Sequence, residues 1–269
     1  QPKAVGIVSS AYSKEPPMPV LIGETCYEGH MQQGFGDTQR RVFWQSILSG
    51  AAGHTYGAAG IWHASVEGDP GCASAAFGGK KVYDWTTWKE GMNYPGAIQL
   101  GMAKKLLEQY PWQRFEPHPE WTAPGCYAAG IPGEVRFIYH PRGRIYDWTG
   151  TVVKGLEPGV SYSAFYFDPA TGRRFDQGLI QSETGEFKMP ELPSPQDWVL
   201  VMQAQNRAKT ITLSALKVGK TCTGKLEPIG ATFTKKSGPE WLAIQADGTY
   251  SGIPKDMNAG RNSILVSVK

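Results

Sequence analysis

The sequence has little charge and no long apolar run. Charged residues make up 19% of its 269 positions and hydrophobic residues 41%, so the chain is too apolar and too weakly charged to be disordered. No stretch approaches the roughly 18 consecutive apolar residues that a membrane-spanning helix needs. We therefore expect a soluble globular protein without a membrane span.

The sequence also lacks a basic run, and its net charge of +3 comes from scattered Lys and Arg. Nucleic acid is therefore an unsuitable partner, because no stripe of positive charge could follow a phosphate backbone. The 4 cysteines, Cys26, Cys72, Cys126 and Cys222, have no CxxC spacing and no histidine in zinc-ligand register. We expect no metal and no cofactor, with the cysteines either inert thiols or paired in up to two disulfides.

Several catalytic motifs are absent. There is no Gly-x-Ser-x-Gly elbow, no P-loop and no Gly-x-Gly-x-x-Gly, which argues against esterase, phosphoryl-transfer and dinucleotide chemistry. The chain does not begin with Met, and residues 1–18 have no basic stretch followed by a long apolar one. A signal peptide is not visible there, and we expect the chain to be part of a longer protein.

Turn-forming residues are abundant, with 33 Gly and 20 Pro. The pattern of apolar and turn-forming residues changes twice along the chain, which divides it into three segments. Residues 19–23 predict a fully buried, parallel strand, and a helix capped by Asp37 or Thr38 follows up to Leu48. A second strand is predicted around residues 54–56, and Pro95 begins another helix that ends before residue 111. This order is typical of an α/β layer, but two strands cannot close a barrel. We predict that residues 1–112 form only part of one.

The other two segments are β-rich. Residues 113–218 predict short strands at 135–139, 162–167, 198–202 and 211–213, separated by turns, which indicates an antiparallel β-sandwich. Residues 219–269 continue the β texture but are too few for more than a marginal domain.

A carboxylate stands where α/β proteins build active sites. Glu24 follows the first predicted strand, and Glu28 lies shortly after it. The carboxyl ends of parallel strands carry such sites, and glycoside hydrolysis needs two carboxylates. The alternative is that either residue is a solvated loop acid. Glu24 is the first candidate for testing.

Aromatic residues cluster after the second predicted strand. His54, Tyr56 and Trp62 lie there in the sequence. Exposed aromatic rings stack on the apolar faces of sugars, although any single Trp more often fills a core. The glycine-rich surroundings of Trp62 favour a cleft wall.

Longer strings of residues match a known family. The strings are Pro19-Val20-Leu21-Ile22-Gly23-Glu24, Tyr27-Glu28, Arg41-Val42-Phe43-Trp44, Gly50-Ala51-Ala52-Gly53-His54-Thr55-Tyr56-Gly57 and Ile61-Trp62. In this order they resemble the apiosidase-like glycoside hydrolases. Residues 137–139, 166–172 and 197–201 resemble the collagen-binding-like β-domain that follows the barrel in this family. Residues 231–233, 237–242 and 247–254 resemble a bacterial immunoglobulin-like module.

The resemblance implies the C-terminal portion of a (β/α)8 TIM barrel, followed by a β-sandwich at 113–218 and an immunoglobulin-like module at 219–269. It implies a retaining, two-carboxylate glycosidase that acts on side chains of plant cell-wall polysaccharides. Glu24 corresponds to the nucleophile, and the acid/base residue belongs to an earlier part of the barrel. Tyr27, Glu28, His54, Tyr56 and Trp62 are expected to bind substrate, Glu28 alternatively as a network carboxylate. A secreted or periplasmic location is implied.

An incomplete barrel would expose unpaired strand edges and apolar surface. We therefore expect a companion polypeptide that carries the rest of the barrel. The alternative function is a non-catalytic carbohydrate-binding or assembly module, in which the β-domains contact glycan. Glycan binding that persists without residues 1–112 would favour that module.

Overall fold

The structure is a computed structural model. It describes residues 2–23, 26–30, 34–61, 64–68, 86–141, 150–205, 218–226, 232–255 and 264–268. The chain divides into two compact units, residues 1–203 and 204–269. The three-part division expected from the sequence stays a prediction.

The first unit begins with alternating helices and strands. They are α1 (Pro2–Tyr12), β1 (Val20–Ile22), α2 (Gly36–Ile47), β2 (Ala51–His54), α3 (Trp88–Gly91) and α4 (Pro95–Leu107). β1 and β2 pair in parallel, as the sequence pattern predicts. β2 begins before the predicted residue 54, because small residues such as Ala51 and Gly53 carry the pairing with β1.

β1 is buried on one face only, so the prediction of a fully buried strand is wrong for Leu21. Ile22 belongs to the core beneath the helices, whereas Leu21 is 67% exposed. Successive side chains of a strand point to opposite faces. The helices cover the Ile22 face, and no described residue buries Leu21 on the other.

A six-stranded sheet follows in the same unit, in the order β3-β4-β5-β10-β7-β8. Its strands are β3 (Glu116–Pro117), β4 (Tyr127–Ile131), β5 (Val135–His140), β7 (Tyr162–Phe167), β8 (Arg174–Ile180) and β10 (Trp198–Ala204). Two 3-10 helices, Trp112–Arg114 and Pro119–Trp121, flank β3. A separate pair joins β6 (Val152–Val153) to β9 (Phe187–Lys188).

One core joins the helices to this sheet. Trp44 of α2 is fully buried, and its ring stacks on Phe137 and Tyr139 of β5 with centroids 6.4 Å away. Leu100 and Leu106 of α4 belong to the same cluster. Because large aromatic side chains bury much apolar area, Trp44 is a main attachment of the α/β segment to the sheet.

A buried ion pair reinforces this attachment. Arg40 of α2 donates to the Asp197 carboxylate from Nε at 2.8 Å and from Nη2 at 2.7 Å, and Nη1 donates to Gln99 Oε1 at 3.2 Å. The Tyr139 hydroxyl donates to Asp197 at 2.9 Å. Burial by itself lowers the pKa of Arg40. The hydrogen bonds to Asp197 and the negative charge of that carboxylate together have the larger effect, so the pKa of Arg40 is raised above its ordinary value. Arg40 is therefore a structural residue.

The second unit is all β in its described part. β11 (Cys222–Lys225), β14 (Thr249–Gly252) and β13 (Leu242–Ile244) form one antiparallel sheet, and β12 (Phe233–Ser237) pairs with β15 (Leu265–Val268). Leu226, Phe233 and Leu242 are buried.

The antiparallel β texture of both later segments is thus as predicted. The barrel portion, the sandwich and the immunoglobulin-like module stay predictions, and the predicted strand at 211–213 lies outside the described residues. Among the described helices, none has the length and apolar character that crossing a membrane requires.

Candidate active site

The segments after β1 and β2 run side by side. Thr55 N donates to Ile22 O at 2.9 Å, and Glu28 N donates to Gly57 O at 3.0 Å. Ala59 N then donates to Glu28 O at 2.8 Å, so Glu28 forms a parallel bridge with Ala58. The two segments therefore extend the parallel pairing beyond the strands, at the edge where α/β proteins place their sites.

Glu28 is the central carboxylate of this edge. Its residue is 3% exposed, and the carboxylate accepts three hydrogen bonds. The Tyr56 hydroxyl donates to Oε2 at 2.7 Å, and Gly96 N donates to Oε1 at 3.1 Å and to Oε2 at 2.9 Å. Glu28 is therefore paired with protein groups on both oxygens.

The Glu28 carboxylate lies where two helices begin. Gly96 is the second residue of α4, and a Cβ built on Gly36, the first residue of α2, would lie 3.2 Å from Glu28 Oε1 and 3.0 Å from Gly96 N. The first N–H groups of a helix have no partner within the helix, and its dipole attracts negative charge. At α4, the Glu28 carboxylate accepts from one of these N–H groups, that of Gly96, and also places its negative charge at the positive end of the helix dipole.

Tyr56 bonds to Glu28, and Tyr27 packs on the neighbouring backbone at Gly57. Burial, the hydrogen bond to Glu28 and the charge of Glu28 raise the pKa of Tyr56 well above its ordinary value, so its hydroxyl remains a proton donor. The Tyr27 ring lies over Gly57, where a Cβ would come within 2.6 Å of Cδ1. Tyr56 therefore lies beside the Glu28 carboxylate, and Tyr27 packs on Gly57, whose carbonyl accepts from Glu28 N.

His54 lies at the end of β2, opposite Ile22. Its ring meets Phe43 of α2 edge-on, with centroids 5.6 Å apart. Burial lowers the pKa of the imidazole to about 4, so it is neutral near pH 7. Within the described part of the chain, neither ring nitrogen has a hydrogen-bond partner. The predicted role in substrate binding stays a prediction.

Two predicted site residues, Glu24 and Trp62, lie outside the described residues. The structure adds two that sequence reasoning missed, Gly96 and Gln39. Gln39 is fully buried and donates from Nε2 to Cys26 O at 3.0 Å. The Pro95-Gly96 pair marks a helix start in the sequence, but nothing local links it to a carboxylate 68 residues away.

Metal ligands are a separate question. Within the described ranges, no three His, Cys, Asp or Glu side chains come together as a metal site would require. The groups that the described residues bring to this edge are a carboxylate, a hydroxyl, an imidazole and backbone N–H groups.

Comparison with known proteins bears on the first part of the chain. Residues 1–114 match the family model described as "Apiosidase-like, catalytic domain". This segment contains every site residue predicted from the sequence. The match supports a glycosidase and confirms that part of the predicted resemblance. The collagen-binding-like and immunoglobulin-like assignments lie beyond the segment and stay predictions.

Two solved structures are similar in fold. One, described as a glycoside hydrolase, has a TM-score of 0.59 at 20% identity and is matched over 75% of this chain and 46% of its own. The other, a glycoside hydrolase family 5 protein from Bacteroides vulgatus ATCC 8482, has a TM-score of 0.57 at 18% identity, over 74% of this chain and 44% of its own. The chain thus spans less than half the length of either. A search of curated proteins found no match.

Proposed function

We propose that this chain supplies the nucleophile of an apiosidase-like, retaining glycoside hydrolase. The observation that carries the proposal is the match of residues 1–114 to an apiosidase-like catalytic domain. Two further observations support it. Glu24 follows β1 closely in the sequence, and β1 is half of a parallel strand pair, the setting in which barrel enzymes place catalytic carboxylates.

In the proposed reaction, a Glu24 oxygen attacks the anomeric carbon while a carboxylic acid outside this chain protonates the departing glycosidic oxygen. The carbon–oxygen bond to the leaving group breaks as the glycosyl–Glu24 ester forms. Water, deprotonated by the same outside carboxylate, then attacks the anomeric carbon and releases the sugar and Glu24. The acid regains its proton in this second step. Each of the two displacements inverts the anomeric carbon, so its configuration is retained overall.

We propose that a companion polypeptide, or another part of a longer chain, completes the barrel. Two parallel strands cannot close one, and the solved relatives are matched over less than half of their length. Leu21 supports this proposal, because it is 67% exposed on the face of β1 opposite the helices. Further strands would cover that face.

The proposed substrates are side chains of plant cell-wall polysaccharides, which places the enzyme outside the cytoplasm, in the periplasm or secreted, where such polymers are found. Tyr27, His54 and Trp62 are proposed to line the subsites. For His54 the support is a neutral imidazole whose nitrogens lack partners among the described residues. A neutral imidazole can both donate to and accept from sugar hydroxyls.

The test is an activity assay on the complete enzyme, assembled by supplying the rest of the barrel in cis or in trans. Sugar release from pectic oligosaccharides is measured for the wild type and for Glu24→Gln. We expect kcat to fall by roughly 1,000-fold or more, because the variant cannot form the covalent intermediate. Glu108→Gln is the matched control, since Glu108 is an exposed carboxylate paired only with Lys104 in the described structure.

A second variant tests the nucleophilic role directly. Glu24→Gly leaves space for azide, which can attack the anomeric carbon in place of the carboxylate. We expect azide to restore turnover with an activated substrate and to yield a glycosyl azide of inverted configuration. Full hydrolysis by Glu24→Gln would overturn the proposal. Tight glycan binding by a chain that stays inactive in the complete assembly would instead favour the carbohydrate-binding module.

A further inference from the structure

We infer that Glu28 is a positioning residue, which holds the segment carrying Glu24 through Tyr56 and the first turn of α4, and that it does not contact substrate. This inference rests on the proposed function, and it assigns Glu28 and Tyr56 a role different from the substrate binding expected of them.

The Glu28 carboxylate is bonded to protein donors and is shielded from solvent. Both oxygens accept from Gly96 N and one also accepts from the Tyr56 hydroxyl, while the residue is 3% exposed. Turning toward a substrate would leave the Gly96 N–H without its carboxylate partner and the Tyr56 hydroxyl with only Gly91 O, 3.4 Å away. Buried polar groups are costly to leave unpaired. The carboxylate is therefore committed to the protein.

The backbone of Glu28 is held as firmly as its side chain. Its N–H and C=O bond to Gly57 and Ala59, on the segment after β2. At the other end, Ile22 O accepts from Thr55 N on the same segment. Glu24 lies between Ile22 and Glu28 in the sequence, and these two residues are both bonded to the segment after β2. The side-chain bonds of Glu28 set where the second of them lies.

The surrounding residues are shaped to this carboxylate. A Cβ on Gly96 would lie 2.2 Å from Glu28 Oε2, and one on Gly36 would lie 3.2 Å from Oε1. Contacts below about 3 Å force the neighbouring atoms to move. Glycine at position 96 thus lets Glu28 come within hydrogen-bond distance of α4, and a side chain at position 36 would only crowd the other oxygen.

The consequence for catalysis is one of geometry. A nucleophile acts efficiently only when its attacking atom is held near the reacting carbon, and a misplacement of about 1 Å can cost about 100-fold in rate. Releasing the Glu28 end of the segment changes the position of Glu24 but removes no substrate contact. The effect should therefore appear in kcat and leave KM almost unchanged.

The first experiment uses this chain alone and needs no activity. Hydrogen exchange is followed at the Gly96 amide and over residues 26–30 in wild type, Tyr56→Phe, Glu28→Gln and the control Glu108→Gln. Tyr56→Phe removes a single hydroxyl and keeps the ring. We expect both site variants to speed exchange at Gly96 and over residues 26–30 by about 10-fold, with the control unchanged. Unchanged exchange in Glu28→Gln would overturn the inference.

The second experiment uses the complete enzyme and the same variants. We expect kcat to fall about 10- to 100-fold for Tyr56→Phe and for Glu28→Gln, with KM within about twofold of wild type. The double variant should lose little more than Glu28→Gln alone, because both act through one bond network. A raised KM with unchanged kcat would overturn the inference. Failure of the proposed function shows separately, as full activity of Glu24→Gln.

Discussion

Gly96 allows a sharp test of the network around Glu28, because the same helix offers a matched control. In Gly96→Ala the new Cβ would lie 2.2 Å from Glu28 Oε2 and 3.0 Å from Glu28 Cδ. Gly101 is also in α4, and a Cβ built there meets nothing within 4 Å. The two substitutions therefore have the same chemistry and helix but differ in what the methyl group meets.

The magnitude follows from these distances. The Glu28 carboxylate must retreat by about 1 Å, which breaks its hydrogen bonds to Gly96 N at a cost of about 1.5–3 kcal/mol for a charged acceptor. Overpacking adds about 1–3 kcal/mol, and alanine in a helix returns about 0.5–1 kcal/mol. We expect Gly96→Ala to lower the free energy of unfolding by about 2–4 kcal/mol. Gly101→Ala should raise it by about 0.4–1 kcal/mol.

Intrinsic fluorescence in urea provides the assay, because every Trp except Trp241 precedes residue 204 and so reports on the first unit. In thermal unfolding, the same loss corresponds to a Tm lower by roughly 5–15 °C for a unit of this size. Equal stability of the Gly96→Ala and Gly101→Ala proteins would refute the close approach of Glu28 to α4, and with it the anchoring role.

Two further predictions concern the rest of the first unit. Asp197→Ala should destabilise it by about 3–5 kcal/mol in urea unfolding, because Arg40 loses its partner in a buried site. The double variant Arg40→Met/Asp197→Leu should recover much of this loss. An unchanged urea midpoint for Asp197→Ala would contradict the pairing. His54 should make stability depend on pH. Its pKa lies at about 4 in the folded state and near 6.5 when unfolded, so the unfolded chain binds more protons as the pH falls through this window, and stability decreases. His54→Leu should flatten the stability profile between pH 6.5 and 4, and an identical slope in that variant would argue against a buried, neutral His54.

Local patterns predict the elements around the site well. The apolar run before Gly23 marks β1, and Pro95 marks the start of α4. Both signals lie within a few residues of what they determine, because an apolar run and a proline at the first helical position act locally. The same holds for β5 and β7, whose bounds nearly coincide with those predicted. The predicted cap of α2 at Asp37 or Thr38 is wrong, since the helix begins at Gly36 after Phe35 and no side chain caps it. Arg40 shows the limit, since its partner Asp197 lies 157 residues away.

By itself, the sequence determined the class of the elements, the family resemblance of the first segment and the candidate nucleophile Glu24. Only the tertiary structure decided that Glu28 is enclosed by Tyr56 and Gly96, that Leu21 is exposed while Ile22 is buried, and that the helices share a core with the later sheet. The reason is physical. Strand and helix signals act between near neighbours in the sequence. These contacts instead join segments that are far apart in the sequence and meet only when the chain folds.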